Sequence, residues 1–340
     1  MVAKRVSPRG DKSRPKKMKS GNNSKRSSEN EKLDPTSKHT EFGNCFKVKV
    51  KQHTKRCFPD SSDCKSVIQL LGLGKQVPIP ILASDLHARE RFAAELAQEL
   101  IFETQRHTGD GGGGINLSMV TILREENVTG DENAKVRLKD LVSTSRRALL
   151  REFQDFISLI EVQACCNRNH EDGGKTHCWH LHAVCWSDGP IVEQTVRKRL
   201  EKVFGEFVGE MPAIHLQPLK SAPEDLTRFA YYATKAPGKS KTVYVSKDGT
   251  RTNMHESEKG DRYIRYARLF EILSHIPLTA LVLAGGNGQF ILGRAILSLK
   301  RWHEGRAKSS QFRRVVDVAD YWDVNRDRYL GKRFKAPDIS

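Results

Sequence analysis

The sequence predicts an α+β fold with a mainly antiparallel sheet flanked by helices, and three observations carry that expectation. Apolar runs of strand length recur at residues 115–123 (INLSMVTIL), 156–165 (FISLIEVQAC), 178–186 (CWHLHAVCW) and 213–219. Segments of helical periodicity fall between them, at 139–155, from Asp188 to Phe207 and at 223–235. Residues 242–252 read as a hairpin turning at Asp248-Gly249, a dipeptide that two-residue turns favour. Hairpins interleaved with helices place the chain in the α+β class.

Taken in order, residues 1–42 are Lys, Arg, Ser, Asn and Pro with hardly an apolar side chain, and are expected to form a disordered basic tail. Residues 43–110 form a cysteine-bearing arm. Its helix, about 85–105, is marked by Leu86, Phe92, Ala93, Leu96, Leu100 and Ile101, with Ser84 as N-cap. The glycines at 111–114 read as a hinge before the main unit, 115–255. In that unit the helix after Asp188-Gly189-Pro190 carries Ile191, Val192, Val196, Leu200, Val203, Phe204 and Phe207. Helical segments at 262–305 and a charged tail at 306–340 follow. The glycines at 285, 286 and 288 miss the spacing of a dinucleotide fingerprint and read as a helix–helix turn.

The formal charge is +17, of which residues 1–38 supply 12 positive and 4 negative groups. The remainder is basic as well, so a polyanionic partner is expected, and nucleic acid is the commonest one. The basic start has no apolar region behind it, and no apolar run reaches the ~18 residues of a membrane span. Seven cysteines, an odd number, fit reduced thiols. A cytoplasmic protein with no membrane partner is expected.

His180 and His182 lie one residue apart in an apolar strand, so both rings project from one face. Trp179, Leu181, Ala183 and Cys185 take the other face, while Val184 and Trp186 flank the histidines. Two buried imidazoles must be hydrogen-bonded or ligating. An isolated pair is more often a satisfied core pair, but Glu161 stands in the preceding apolar strand, and a buried carboxylate needs a charged partner. With Asp172-Gly173 as a two-residue turn, Gln163 falls opposite His182; a small slip puts Glu161 there. Two imidazoles and a carboxylate suit a divalent ion with open positions.

On the helix at 223–235, Ser221-Ala222-Pro223-Glu224 has the form of a capping box. Leu226, Phe229, Ala230 and Ala233 make one packing stripe, leaving Tyr231, Tyr232, Arg228 and Lys235 outside it. Those four could be an ordinary solvated face. A tyrosinate can also attack a phosphodiester, and a nearby cation such as Lys235 favours the phenolate or balances phosphate charge.

Together, His180-Leu181-His182 on a strand and Tyr232-x-x-Lys235 on a helix fifty residues later resemble the HUH endonucleases. Histidines before tyrosine is the order of rolling-circle plasmid and phage replication initiators; conjugative relaxases have the reverse. Residues 119–123 (MVTIL) are similar to the family's first strand motif, and 160–163 (IEVQ) to the strand before the histidines. Residues 179–184 (WHLHAV) resemble the second motif, 229–235 (FAYYATK) the third, and 263–288 the C-terminal part of the initiators.

The resemblance spans roughly residues 115 to 290. It implies a ferredoxin/RRM-like nuclease domain with a central five-stranded antiparallel sheet. It also implies Mg²⁺ or Mn²⁺ on His180 and His182 with Glu161 as third ligand, and Tyr232 as nucleophile with Tyr231 as the alternative. The products would be a 5′-phosphotyrosine and a free 3′-hydroxyl that primes synthesis. Single-stranded DNA at a replication origin would be the substrate, Arg228 a phosphate contact, and host helicase and polymerase the partners. The sequence departs from some relatives at Cys178, where they carry a third histidine, and at Arg228, where some carry a glutamate.

Two other readings share these residues: a transposase of the same superfamily, and a non-enzymatic basic DNA-binding protein whose histidines hold structural zinc. Cys45, His53, Cys57 and Cys64 form a second zinc candidate without a tight Cys-x-x-Cys knuckle. Cys165, Cys166, His170, His177 and Cys178 form a third.

Overall fold

A computed structural model describes residues 35–59, 62–73, 78–109, 116–166, 175–208, 211–237, 241–245, 251–255, 262–309 and 318–340. Helices α1 (Pro35–Cys57), α2 (Asp63–Leu70) and α3 (Leu86–Gly109) precede strand β1 (Asn116–Gly130). A short β2 (Lys135–Val136) and α4 (Leu138–Glu152) lead to a long hairpin of β3 (Asp155–Cys166) and β4 (Lys175–Ser187). Next come α5 (Glu193–Phe204), the two-residue strands β5 (Phe207–Val208) and β6 (Met211–Pro212), β7 (Ile214–Leu219) and α6 (Pro223–Thr234). The hairpin β8 (Lys241–Val245) and β9 (Arg251–His255), then α7 (Arg262–Ser274), β10 (Val282–Gly285), α8 (Gly288–Ser309), α9 (Val318–Tyr329) and β11 (Asp338–Ile339), follow.

The fold is α+β. Five strands lie in the order β7-β1-β4-β3-β10, every neighbour antiparallel. The edge of β3 not used by β4 also takes β8, through a parallel pair at Cys165 and Lys241, with β9 outside it. Alternation along β4 builds two cores at once. Trp179, Leu181, Ala183 and Cys185 enter one, and Val184 and Trp186 enter the other, as the two-sided apolar pattern requires. Helices α4 and α5 pack on the first face; α6 and α8 pack on the second, joined by α3. The α6 stripe of Leu226, Phe229, Ala230 and Ala233 is buried there. Its two large side chains contribute about 1.5–3 kcal/mol each.

Several expectations are corrected. The basic tail does not reach residue 42, because α1 already begins at Pro35. Its amphipathic face buries Phe46 and Val50, which the Lys- and Ser-rich context concealed. The arm at 43–110 is not set apart: α3 packs on α6 and α8, so residues 34–340 cluster as one unit. The α3 N-cap is Asp85, whose Oδ1 accepts from the Ala88 amide at 3.0 Å, whereas the Ser84 hydroxyl donates to the Leu70 carbonyl. Helix α6 starts at Pro223 with no side-chain capping bond, so the capping box does not form. Val192 and Phe207, expected on the α5 stripe, lie outside that helix and are exposed.

The glycines at 285–288 do not join two helices. They turn β10 into α8, with Gly286 at φ +57° against Asp155, whose Oδ1 accepts from the Asn287 amide at 2.5 Å. A Cβ at Gly288 would meet the Phe156 carbonyl oxygen at 2.1 Å, so close approach of helix to sheet requires glycine there. Residues 306–340 are not merely a charged tail. Arg306 donates to the Gly72 carbonyl at 2.6 Å, α9 buries Trp322 and Tyr329, and β11 pairs in parallel with β2. The turns expected at Asp172-Gly173 and Asp248-Gly249 and the hinge at 111–114 lie outside the described residues.

Candidate metal and tyrosine site

The second face of the sheet carries apolar side chains at one end and ionisable ones at the other. Along β3 the residues Ile157, Leu159 and Glu161 share that face, as do Trp186, Val184, His182 and His180 along β4. The observed register sets Glu161 opposite His180 and Leu159 opposite His182. This corrects the expected pairing of Gln163 or Glu161 with His182. Pairing Gln163 with His182 needs the hairpin centred on Asp172-Gly173, whereas the last strand pair, Cys166 with Lys175, centres it two residues earlier. The side chains converge regardless, since Glu161 and both histidines alternate onto the same face.

Glu161, His180 and His182 are buried, and their ligand atoms all lie within 4.8 Å of one another. Glu161 Oε2 is 3.0 Å from His182 Nε2 and 3.4 Å from His180 Nε2. Neighbouring donors around an ion with bonds of about 2.1 Å would be roughly 3 Å apart, so the set has the dimensions of a small divalent site. The outer ring nitrogens are held from behind. His180 Nδ1 lies 3.3 Å from the Cys178 carbonyl, to which it can only donate, and His182 Nδ1 lies 2.9 Å from the Thr121 hydroxyl. Both Nε2 atoms are thereby turned toward the Glu161 carboxylate. This group can hold a metal ion.

The Lys235 ammonium also donates to Glu161 Oε2, and both side chains are buried. Burial pushes the Glu161 carboxyl up, but Lys235 and the two imidazoles outweigh it and hold its pKa well below the usual carboxylate range. His182 is pushed down to about 4, chiefly by burial, and stays neutral and available as a ligand.

Helix α6 brings Tyr232 to this cluster. Its ring centroid is 5.0 Å from that of His182, and Lys235 Nζ lies 3.7 Å from the same ring. Burial and then the Glu161 charge raise the phenol above its ordinary pKa. The residue is 39% exposed, so solvent reaches it. Tyr231 faces α1 instead, edge-on to His39 at 5.3 Å. Arg228, one turn before Tyr232, is exposed and paired with Asp225 at 2.9 Å.

One contributor was not singled out by its sequence. Arg89 of α3 is buried and donates through Nη1 to the carbonyls of Thr234 and Lys235, both at 3.0 Å. It thereby satisfies the open end of α6 at the residue that bonds Glu161. A signal existed: Arg89 stands three residues from both Leu86 and Phe92, on the apolar stripe of its helix.

Of the zinc candidates, His53 Nε2 and Cys57 Sγ meet at 3.5 Å, but Cys45 and Cys64 do not join them in a ligand cluster. Between these positions α1 is helical, and His53 bonds the Tyr329 carbonyl. In the third candidate His177 pairs with Asp131 at 2.9 Å, and His170 lies outside the described residues. Among the described residues Glu161, His180 and His182 form the one such cluster.

The chain is thus defined as an α+β protein with a buried Glu/His/His group beside an accessible tyrosine. No family model matches it, and neither a curated protein nor a solved structure does so.

Proposed function

We propose that this chain is a metal-dependent endonuclease and strand transferase that nicks single-stranded DNA through Tyr232, in the manner of a rolling-circle replication initiator. The observation that carries the reading is the packing of an accessible tyrosine ring 5.0 Å from an imidazole of a three-ligand cluster. Glu161, His180 and His182 would hold Mg²⁺ or Mn²⁺, which polarises a phosphate when bound. The chain's own residues do the rest. The Tyr232 oxygen forms a bond to phosphorus as the bond from phosphorus to the 3′ oxygen breaks. The phenolic proton leaves to solvent, and the 3′ oxygen takes one up, giving a 5′-phosphotyrosine and a 3′-hydroxyl. Lys235 Nζ, 3.7 Å from the Tyr232 ring centre, favours the phenolate. Arg228 supplies a phosphate contact from the same helix face.

The basic charge of the chain fits a nucleic-acid substrate, and an origin of replication with host helicase and polymerase would be its setting. A set of three protein ligands leaves positions for substrate oxygens, which disfavours a closed structural zinc site. Incubation with labelled single-stranded DNA and Mn²⁺ tests the reading. A denaturation-resistant adduct mapping to Tyr232 is expected; no adduct under any divalent ion refutes it.

A further inference from the structure

A cavity of about 140 Å³ between α1 and α3 has no part in the chemistry at Tyr232. Its buried lining residues are His39 of α1, Arg89 of α3 and Ala236, which closes it beside Lys235; Asn44, Lys47 and Glu90 line it nearer the surface. His39 is only 7% exposed, and its Nε2 has no hydrogen-bond partner. An unsatisfied buried nitrogen is destabilising, and a ligand oxygen would offset that cost.

Charge selects the ligand. Burial, then the Arg89 and Lys235 cations, push His39 down to about 4, so both cations act on this ring. Lys47 adds a cation to the lining, and Glu90 is the single carboxylate among the lining residues. Leu86, His87, Arg89 and Glu90 belong to the opening turns of the 24-residue α3, whose N-terminus is capped by the Asp85 carboxylate, so the Arg89 and Lys47 side chains rather than the helix end supply the positive charge.

We propose that this cavity is a phosphate site, and that it takes a backbone phosphate of single-stranded DNA next to the one attacked by Tyr232. The first half stands on the cavity alone; the second rests on the proposed function. Proximity supports it, because His39 touches Tyr231 and Ala236 follows Lys235 directly. A strand crossing Tyr232 would then be gripped on the α1 side, which places the nucleotide at the nick without base recognition.

The full chain and its Lys47→Met and His39→Gln/Lys47→Met variants serve as the test. Inorganic phosphate at constant ionic strength should raise the wild-type melting temperature saturably, and the double variant should lose that rise. In anisotropy titrations of a short labelled oligonucleotide, the log–log salt slope should fall by about 0.7 for each DNA phosphate that the variant no longer neutralises. A walk of single neutral methylphosphonate linkages should find one position that weakens the wild type about tenfold and the double variant no further.

Saturable phosphate binding with no coupled linkage overturns the DNA half and makes a free phosphate the ligand. No phosphate effect and an unchanged slope overturn the whole. If the double variant melts lower without phosphate, Lys47→Met alone decides, since that side chain is only half-buried. Adduct formation is read on the same samples: phosphate binding without any adduct refutes the nuclease reading and leaves the phosphate site standing.

Discussion

Glu161 Oε2 is approached by three nitrogens, those of His180, His182 and Lys235. The Lys235 ammonium therefore occupies part of the field that a divalent ion would see, and the pair is buried. Replacing Glu161 by Gln strands that ammonium, so Glu161→Gln should lose about 3–5 kcal/mol in urea denaturation. Adding Lys235→Met should recover most of the loss without restoring Mn²⁺ binding, measured by calorimetry. Recovery of stability and metal together would refute Glu161 as a ligand. The tyrosines separate by direction. Tyr232→Phe should keep metal and DNA binding and form no adduct, while Tyr231→Phe, altered beside His39, should keep first-strand cleavage. A phosphopeptide mapping to Tyr231 would reverse the assignment.

At the scale of elements, α9 carries the clearest prediction. Trp322 is fully buried against Phe270 and Tyr329, and Arg326 bonds Glu271 at 2.5 Å, which ties α9 to α7. Trp322→Ala should therefore destabilise by about 3–5 kcal/mol, and deleting residues 318–340 should lower the melting temperature rather than trim a solvated end. An unchanged melting temperature after the deletion would contradict the packing. Helix α6 was readable because its apolar stripe repeats at helical spacing and Pro223 and Pro237 bound it. Helix α9 was not: Asp, Asn and Arg interrupt its apolar residues, and its burial depends on partners in α1 and α7.

Over the whole molecule, charge and acid sensitivity are predicted. Residues 1–34 hold eleven of the basic residues against four acidic ones. Deleting them should flatten the salt dependence of single-stranded DNA binding and leave nicking intact. Abolished nicking of a bound oligonucleotide would make the segment more than a tether. Acid should destabilise the metal-free protein. His39 falls from 6.5 to about 4 on folding, so between those values the unfolded chain takes up protons that the native one refuses. Stability is thus lost as pH drops through that window, by about 3 kcal/mol at most from this group. Glu161 acts in the same direction at lower pH, because its depressed carboxyl stabilises above the ordinary carboxylate value and ceases to as it protonates. His39→Gln should flatten the upper part of the urea-midpoint profile; an unchanged profile would remove His39 as its source.

The sequence by itself determined the α+β class, four of the five strands of the antiparallel sheet (β10 lies in a stretch that reads as helix), the face shared by His180 and His182, and the α6 stripe. These are local periodicities, set by backbone geometry at spacings of two and of three to four residues. Tertiary structure alone decided that Glu161 stands opposite His180, that Tyr232 rather than Tyr231 meets the histidines, and that Lys235 bonds Glu161. It also decided that Arg89, about 145 residues before α6 closes, fixes the end of that helix. Such pairings depend on loop lengths and on which helix packs against which face, and no periodicity within a segment encodes the partner it will meet.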